Sequence, residues 1–219
     1  MNSISAYCHI STRCIVINNS VVFAETETGL KGLLKEAYTR LNPEYSRFFK
    51  MDLLSKLSFL GVEVLKKQLP TIAGYAADEV ALVFANSNSS EDTDHKFAAS
   101  YIKDKAPSPS LFVYTLPNIL IGEIAIRNGW YGENLFAVLP ELDGSFFSNI
   151  CNILLQKKAE ACLCGWINVM EEEAEAFFFF AEKKTGHGML SITPKVIETI
   201  YKNTYNNGKA KRRTEETNH

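Results

Sequence analysis

The sequence predicts an α/β domain in which a mostly parallel central sheet is covered by helices on both faces. Two features indicate this class. Short apolar runs alternate along the chain with longer segments whose apolar residues recur every three or four positions. The 219 residues, 46% of them hydrophobic, also suffice for one substantial core. We therefore expect one domain, residues 1–205, followed by a polar, disordered tail at 206–219.

The N-terminal part of the chain begins with strands. Residues 4–10 and 14–23 are rich in β-forming residues, and Asn18-Asn19 inside the second run indicates a turn. Residues 33–41 then predict a short helix, which Asn42-Pro43 ends because the residue before a proline is disfavoured in a helix.

A long amphipathic helix and a buried strand follow. From Ser46 onward, apolar residues between 48 and 65 recur at helical spacing, and Pro70 marks the end of this helix. Residues 80–85 are continuously apolar, which is typical of a central strand covered on both faces. The polar loop at 86–94 comes directly after this strand, so we expect it beside a crevice at the end of the sheet.

The second half of the chain continues the alternation. Pro117 is suited to the first turn of a helix that stops near Asn128-Gly129. The remaining elements are predicted in the order strand, helix, strand, strand, helix, at 135–139, 145–158, 161–170, 177–182 and 193–205.

Charge and hydropathy exclude several classes of partner. The net charge is −2 and the pI about 6.1, so no strong field would attract nucleic acid or an anionic membrane. The basic cluster at 209–213 is too short to change this expectation. Apolar stretches such as 177–181 fall far short of the ~20 residues of a membrane span. Residues 1–10 lack the basic start and long apolar run of a signal peptide, so we expect a cytoplasmic protein.

The cysteines and histidines predict neither disulfides nor a metal site. The cysteines are odd in number and contain no C-x-x-C pair, so we expect reduced, buried thiols. The histidines show no zinc-finger or H-E-x-x-H spacing, and we expect no metal and no cofactor. The residues are Cys8, Cys14, Cys151, Cys162 and Cys164, with His9, His95, His187 and His219.

Three segments carry patterns that belong together. The first, beginning at Arg47, reads R-x-x-x-M-D-x-x-S-x-L. The second is the apolar run at 80–86 with the polar loop that contains Asp94. The third, Tyr114–Ile126, contains the pattern L-P-N-x-x-x-G-x-I-A-I from Leu116 onward, and Gly129 and Gly132-Glu133-Asn134 follow it.

In their order and spacing these segments resemble the N-terminal domain of β-ketoacyl synthases, which have the thiolase-like fold. The resemblance extends over residues 1–205. Gly-Glu-Asn, where most synthases have Gly-Pro-Asn, is closest to synthase-like proteins of aryl-polyene and flexirubin-type pigment clusters. The resemblance implies a thiolase-like half and structural roles for Asp52, Asp94, Pro117, Asn118, Gly122, Gly129, Gly132 and Asn134.

The third segment also has a physical interpretation of its own. Pro117 and Asn118 are suited to begin a helix. Gly122 would let another backbone come close, and Gly129 and Gly132 would bracket a turn with unusual dihedral angles. Without the resemblance, these residues predict only a helix, a glycine turn and a strand.

The resemblance implies a catalytic cysteine that this chain lacks. In the synthases a cysteine follows the strand after Gly-Pro-Asn, at a helix N-terminus that stabilises the thiolate. Here that position falls at Glu141 or Leu142, and neither side chain forms a thioester. Ser145 is an alternative nucleophile, although a serine before an apolar run is more often an N-cap. Cys151, between isoleucines, is expected in the core.

The resemblance also implies that the catalytic His-His or His-Asn pair comes from a C-terminal half of the same fold. This chain ends before such a half, so we expect no condensation by the family's mechanism. His187, between two glycines, is the weaker candidate for a catalytic base and is better explained as a loop residue. The acidic run Glu171–Glu173 with Glu175 indicates a solvated loop, or else a dock for a basic partner.

Three functions remain open from the sequence. The first is a non-catalytic synthase-like subunit that pairs with a true ketosynthase, as chain-length factors do, or with itself. The second is an acyltransferase or hydrolase that uses Ser145 or His187. The third is a module that binds acyl carrier protein or an acyl chain. All three imply a protein without a membrane span, nucleic-acid partner or cofactor.

Overall fold

The computed structural model describes residues 2–24, 29–103, 105–170, 173–183 and 189–216, with the backbone alone described for 207–216. The strands are β1 Ser3–Ile10, β2 Cys14–Ile17, β3 Ser20–Ala24, β4 Val80–Asn86, β5 Asn134–Val138, β6 Ala161–Met170, β7 Glu173–Glu182 and β8 Leu190–Ser191. The helices are α1 Gly29–Leu41, α2 Leu53–Gln68, α3 Glu91–Ile102, α4 Pro109–Val113, α5 Ile119–Asn128, α6 Gly144–Gln156 and α7 Pro194–Glu216, with 3₁₀ turns at Ser46–Lys50 and Pro70–Gly74.

All the strands form one mixed sheet, in the order β3-β2-β1-β7-β6-β4-β5, with β8 paired to β1. The α/β class is confirmed, with helices on both faces. The expectation of a mostly parallel sheet is wrong, because only β4 pairs in parallel, with β5 and β6, among the described strands. Strands that follow each other closely in the chain, such as β6 and β7, return antiparallel.

The first predicted turn is confirmed. Asn18 and Asn19 have positive φ angles of 43° and 69°, and they join β2 to β3. Two consecutive left-handed residues are the requirement of a tight hairpin turn, and asparagine tolerates this conformation better than most residues.

Two hydrophobic clusters lie on opposite faces of the sheet. Helices α1, α2 and α5 cover one face, and α6 and α7 cover the other. Helix α2 is buried along most of its length and contacts β1, β6 and β7. Its Gly61 lies against the ring of Phe178 on β7, so closely that a Cβ there would be 2.1 Å from the ring.

Several predicted boundaries differ from the structure. Helix α3 occupies part of the predicted polar loop, since Glu91, Asp92 and Asp94 in its first turn favour a helix start. The helix predicted from Ser46 is divided, because Met51 is extended and α2 begins after it. Helix α7 continues to Glu216, beyond its predicted end at residue 205. The division into a domain and a tail stays a prediction.

The thiols behave as the sequence predicts. All five cysteines are buried and none is in a disulfide. Burial raises the pKa of Cys8 and of Cys164, so both thiols stay protonated at neutral pH. Within the residues that the structure describes, no helix is both long and apolar enough to cross a membrane.

Replacement of Gly61 by alanine is expected to destabilise the protein by about 1–3 kcal/mol, because the new methyl group would displace the buried Phe178 ring. Urea unfolding measures the change. Gly74→Ala is the matched control, since a Cβ at Gly74 meets no atom within 4 Å. Equal stability of the Gly61→Ala and Gly74→Ala variants would contradict the close approach of α2 to the sheet.

Candidate functional site

The three motif segments meet around the start of α2. Asp52 caps this helix, and its Oδ1 accepts a hydrogen bond from Ser55 N at 2.9 Å. Its Oδ2 accepts from Thr93 Oγ1 at 3.0 Å, which joins the first segment to the second. Ser90 Oγ donates to the Thr115 carbonyl at 2.7 Å, which joins the second segment to the third. The carboxylate of Asp94 also lies 3.1 Å from Ser90 Oγ.

A buried carboxylate joins the first and third segments directly. Glu123 on α5 is only 3% exposed. Its Oε1 accepts from Arg47 Nη2 at 3.0 Å and from the Tyr114 hydroxyl at 3.1 Å. Burial, and then the neighbouring Glu123, raise the pKa of Tyr114 to about 12, so its hydroxyl remains a donor. The sequence pattern contained Glu123 but gave no reason to single it out.

The glycines of the third segment have different roles. Gly129 ends α5 with a positive φ of 68°, as predicted. Gly132 has no positive φ, and it is needed because a Cβ there would lie 2.4 Å from the Val80 carbonyl oxygen. At Gly122 a Cβ would meet nothing within 4 Å, so no described backbone comes close there, contrary to expectation. Asn118 precedes α5 without a side-chain cap, and Asn134 begins β5.

The turn at which the resemblance implies a nucleophile forms the N-terminal cap of α6 in this structure. Glu141 is exposed and Leu142 is half-buried against the cluster under α6 and α7. Asp143 caps α6, and its Oδ1 accepts from Ser145 N at 2.7 Å and from Phe146 N at 3.2 Å. Ser145 is exposed and is not the N-cap that the sequence favoured. The backbone donors at this helix start are therefore already bonded to a carboxylate of the same chain.

The structure does not place the other candidate catalytic residues of the sequence analysis at this turn. Cys151 lies in the core under α6, with its Sγ 3.1 Å from the Sγ of Cys164. Hydrogen bonding to Cys151 and burial raise the pKa of Cys162. His187 lies outside the described residues, as do Glu171 and Glu172. In the described segments, no three His, Cys, Asp or Glu side chains form a group suited to a metal ion.

A cavity of about 450 Å³ lies where β4 and β6 end. Ser87 and Asn88 line it, so the predicted crevice beside the polar loop is present. Asn168 Oδ1 accepts from Ser87 N at 2.9 Å and holds the two strand ends together.

The acidic run is only partly a loop. Glu175 belongs to β7, and its Oε1 lies 3.1 Å from Nε2 of the buried His9, so it is not part of a solvated loop.

Replacement of Asp52 by alanine is expected to lower stability by about 1 kcal/mol, because Ser55 N loses its acceptor. Urea unfolding measures the change.

The pH dependence of stability is tested by a second variant, Asp52→Asn, which keeps an accepting oxygen without a charge. Burial raises the pKa of Asp52, so the folded chain binds a proton at this carboxyl group more tightly than the unfolded chain does. The stabilising contribution is therefore complete at low pH and is lost as the pH rises through the folded-state pKa.

Urea unfolding of the wild type and Asp52→Asn between pH 4 and pH 7 tests this sign. The stability of the wild type minus that of Asp52→Asn is expected to be largest near pH 4 and to decrease toward pH 7. A difference that grows with pH would mean that the carboxylate is stabilised, and not penalised, by its surroundings.

Comparison with known proteins gives structural likeness alone. No protein-family model matches the sequence, and no curated protein matches it. A structure of the ketosynthase ApeO in complex with its chain length factor ApeC from Xenorhabdus doucetiae is similar, with a TM-score of 0.51 and 11% identity over 84% of this chain and 80% of that one.

Two further structures are similar. The ishigamide ketosynthase/chain length factor matches with a TM-score of 0.60 and 15% identity, over 86% of this chain and 63% of that one. A structure of a type II PKS acyl-carrier protein in complex with its ketosynthase, AntDE:AntF, matches with a TM-score of 0.58 and 12% identity. The match covers 84% of this chain and 62% of that one. This chain thus spans less than two thirds of the matched chain in these two structures. The chain has the thiolase-like α/β fold of ketosynthase and chain-length-factor structures.

Proposed function

We propose that this chain is a non-catalytic β-ketoacyl-ACP-synthase-like subunit that partners a true ketosynthase in fatty-acid- or polyketide-type biosynthesis, of which aryl-polyene assembly is the nearest case. The observation that carries the proposal is the open edge of the sheet at β5. Among the described strands, β5 pairs with β4 alone. An unpaired edge is a template for a strand from another chain.

The backbone of β5 is arranged for such pairing. At its end, Leu139 N donates to Asn86 O of β4 at 2.8 Å. Because alternate residues of a strand bond to opposite sides, the N–H groups of Asn134, Phe136 and Val138 point away from β4. The edge has no proline and no lysine, the residues that commonly protect exposed strands.

Apolar side chains surround this edge. Val138 is 57% exposed, and Leu135, on the opposite face of the strand, is partly exposed. Tyr131, just before the strand, and Ile126, on the preceding helix, are largely exposed as well. Exposed apolar side chains on an edge strand favour its pairing with another chain.

Two features of the α6 turn support a non-catalytic role. Neither Glu141 nor Leu142 forms a thioester, and Asp143 already bonds the N–H groups of the helix start. Those N–H groups are the donors that a thiolate or an oxyanion would need. A nucleophile placed here would compete with a bonded carboxylate.

The structural neighbours support the choice of partner. One is a ketosynthase with its chain length factor. The match covers 84% of this chain and 80% of that one, so the two chains are similar in length. A second holds an acyl-carrier protein on its ketosynthase. A ketosynthase is thus the partner we propose, with self-pairing and contact with acyl carrier protein as secondary expectations, in the cytoplasm.

Replacement of Val138 by proline is expected to abolish co-purification with a ketosynthase of the same genome. Proline removes an N–H that points away from β4, so the internal ladder is retained while the outer edge loses a donor. Co-expression with a tagged chain, followed by affinity purification and mass spectrometry, measures the loss. Val138→Thr is the matched control, because it keeps the N–H and a β-branched side chain.

The thermal midpoint of both Val138 variants should remain within a few degrees of the wild type, since the residue is exposed. If Val138→Pro folds and still retains the ketosynthase as Val138→Thr does, the partner does not pair at β5. A wild-type chain that is monomeric and retains no ketosynthase would reject the proposed function.

The proposal also predicts that the purified chain forms no covalent acyl intermediate. Incubation with acyl-CoA or acylated carrier protein should leave its intact mass unchanged, because its cysteines are buried and the N–H groups of Ser145 and Phe146 are already bonded to Asp143. An acyl adduct that disappears in Ser145→Ala, or in His187→Ala, would instead favour an acyltransferase or hydrolase.

A further inference from the structure

A buried histidine lies between the sheet and α7. Both ring nitrogens of His9, on β1, face an oxygen of another element. Nδ1 lies 3.0 Å from Thr204 Oγ1 on α7, and Nε2 lies 3.1 Å from Oε1 of Glu175 on β7. Neither this Nε2 nor this Oε1 has another hydrogen-bond partner within the described chain. The ring therefore connects two strands of the sheet to one helix.

The oxygen that faces Nδ1 acts as an acceptor. Thr204 Oγ1 also lies 2.8 Å from the carbonyl oxygen of Ile200 and 3.0 Å from that of Tyr201. A hydroxyl has one proton and a carbonyl oxygen can only accept, so the Thr204 hydroxyl donates to the closer of these two carbonyls. The lone pairs of Thr204 Oγ1 are left for His9. Nδ1 must therefore carry a proton in order to bond them.

The oxygen that faces Nε2 is an acceptor as well. Glu175 lines the cavity at the end of β6, where its side chain is 22% exposed. Burial, and then Glu175, raise the pKa of Tyr201, so the Tyr201 hydroxyl stays protonated and donates to this carboxylate. Partial hydration and a donated hydrogen bond both favour the ionised carboxylate. Because a bare Nε2 would place its lone pair against this anion, Nε2 also needs a proton.

The aromatic neighbours of His9 suit a positively charged ring. Tyr201 stacks on it with the ring centroids 5.7 Å apart, and the centroid of Tyr205 lies at 5.9 Å. Aromatic rings within about 6 Å attract a cation placed over their faces. The neighbours that are paired with His9 in the sheet are apolar, namely Val16 on β2 and Phe177 on β7.

We propose that His9 and Glu175 form an imidazolium–carboxylate pair, which holds a proton inside the protein at neutral pH and fastens α7 to the sheet. Both hydrogen bonds of the ring are then charge-assisted. Loss of the proton leaves the ring with one N–H for two acceptors, so either Thr204 or Glu175 loses its donor. The attachment of α7 is therefore complete at lower pH and weakens as the pH rises. This inference is independent of the proposed function.

NMR of the full chain with ¹⁵N-labelled histidine measures the protonation of the ring directly. At pH 7, where a free histidine is mostly neutral, the ring of His9 should carry protons on both nitrogens. In Glu175→Gln it should carry one, because the amide has no negative charge to stabilise the second. The charged groups on the cavity side are Arg13 and Glu173. Glu173→Gln is thus the matched control, and it should leave both protons on His9.

Amide hydrogen exchange measures the attachment of α7. After correction for the intrinsic exchange rate, the protection of residues 197–204 in the wild type should fall about tenfold between pH 6 and pH 9, while that of α6 stays constant. In Glu175→Gln the protection of residues 197–204 should be low at both pH values.

Three results would overturn the inference. The first is a wild-type His9 ring with one bare nitrogen at pH 7. The second is a second proton that survives Glu175→Gln or is lost equally in Glu173→Gln. The third is a protection of α7 that does not change with pH. The first and third results come from the wild type alone, so they decide even if Glu175→Gln does not fold.

Discussion

The close approach of α2 to the central strands is the constraint on which the rest of the molecule depends. The strands β7 and β6 lie at the middle of the sheet and are buried on both faces. Phe178 and Phe84 fit there only because Gly61 and Gly165 leave room for their rings. Helices α1 and α5 both pack against α2, and α1 also contacts β3 at one edge of the sheet.

The sequence predicted the elements better than their directions. The β6 boundaries match the prediction to the residue, because a continuous apolar run depends on burial alone. Strand direction depends on how loops close, which periodicity does not record. Helix α3 was missed for a related reason, since the side chains that it buries, Thr93 and Ser100, are polar and leave no apolar period.

The sequence likewise identified some residues of the candidate site and not others. The motif pattern singled out Asp52, which joins the first segment to the second, and Asp94, which contacts Ser90 within the second segment. It could not single out Glu123 or Asp143, because the role of each carboxylate depends on which donor faces it in the folded chain. Gly132 was expected to need an unusual dihedral angle, but the need arises from a carbonyl oxygen distant in sequence.

The surroundings of β5 are the structural basis for proposing a partner for this chain. After the carboxyl end of the strand, Asp143 bonds the N–H groups of Ser145 and Phe146 at the start of α6, which stabilises the helix. Along the strand itself, the outer side pairs with no other described strand, and Val138 is largely exposed. Exposed apolar surface costs free energy in water, and a strand that paired with β5 would bury part of it.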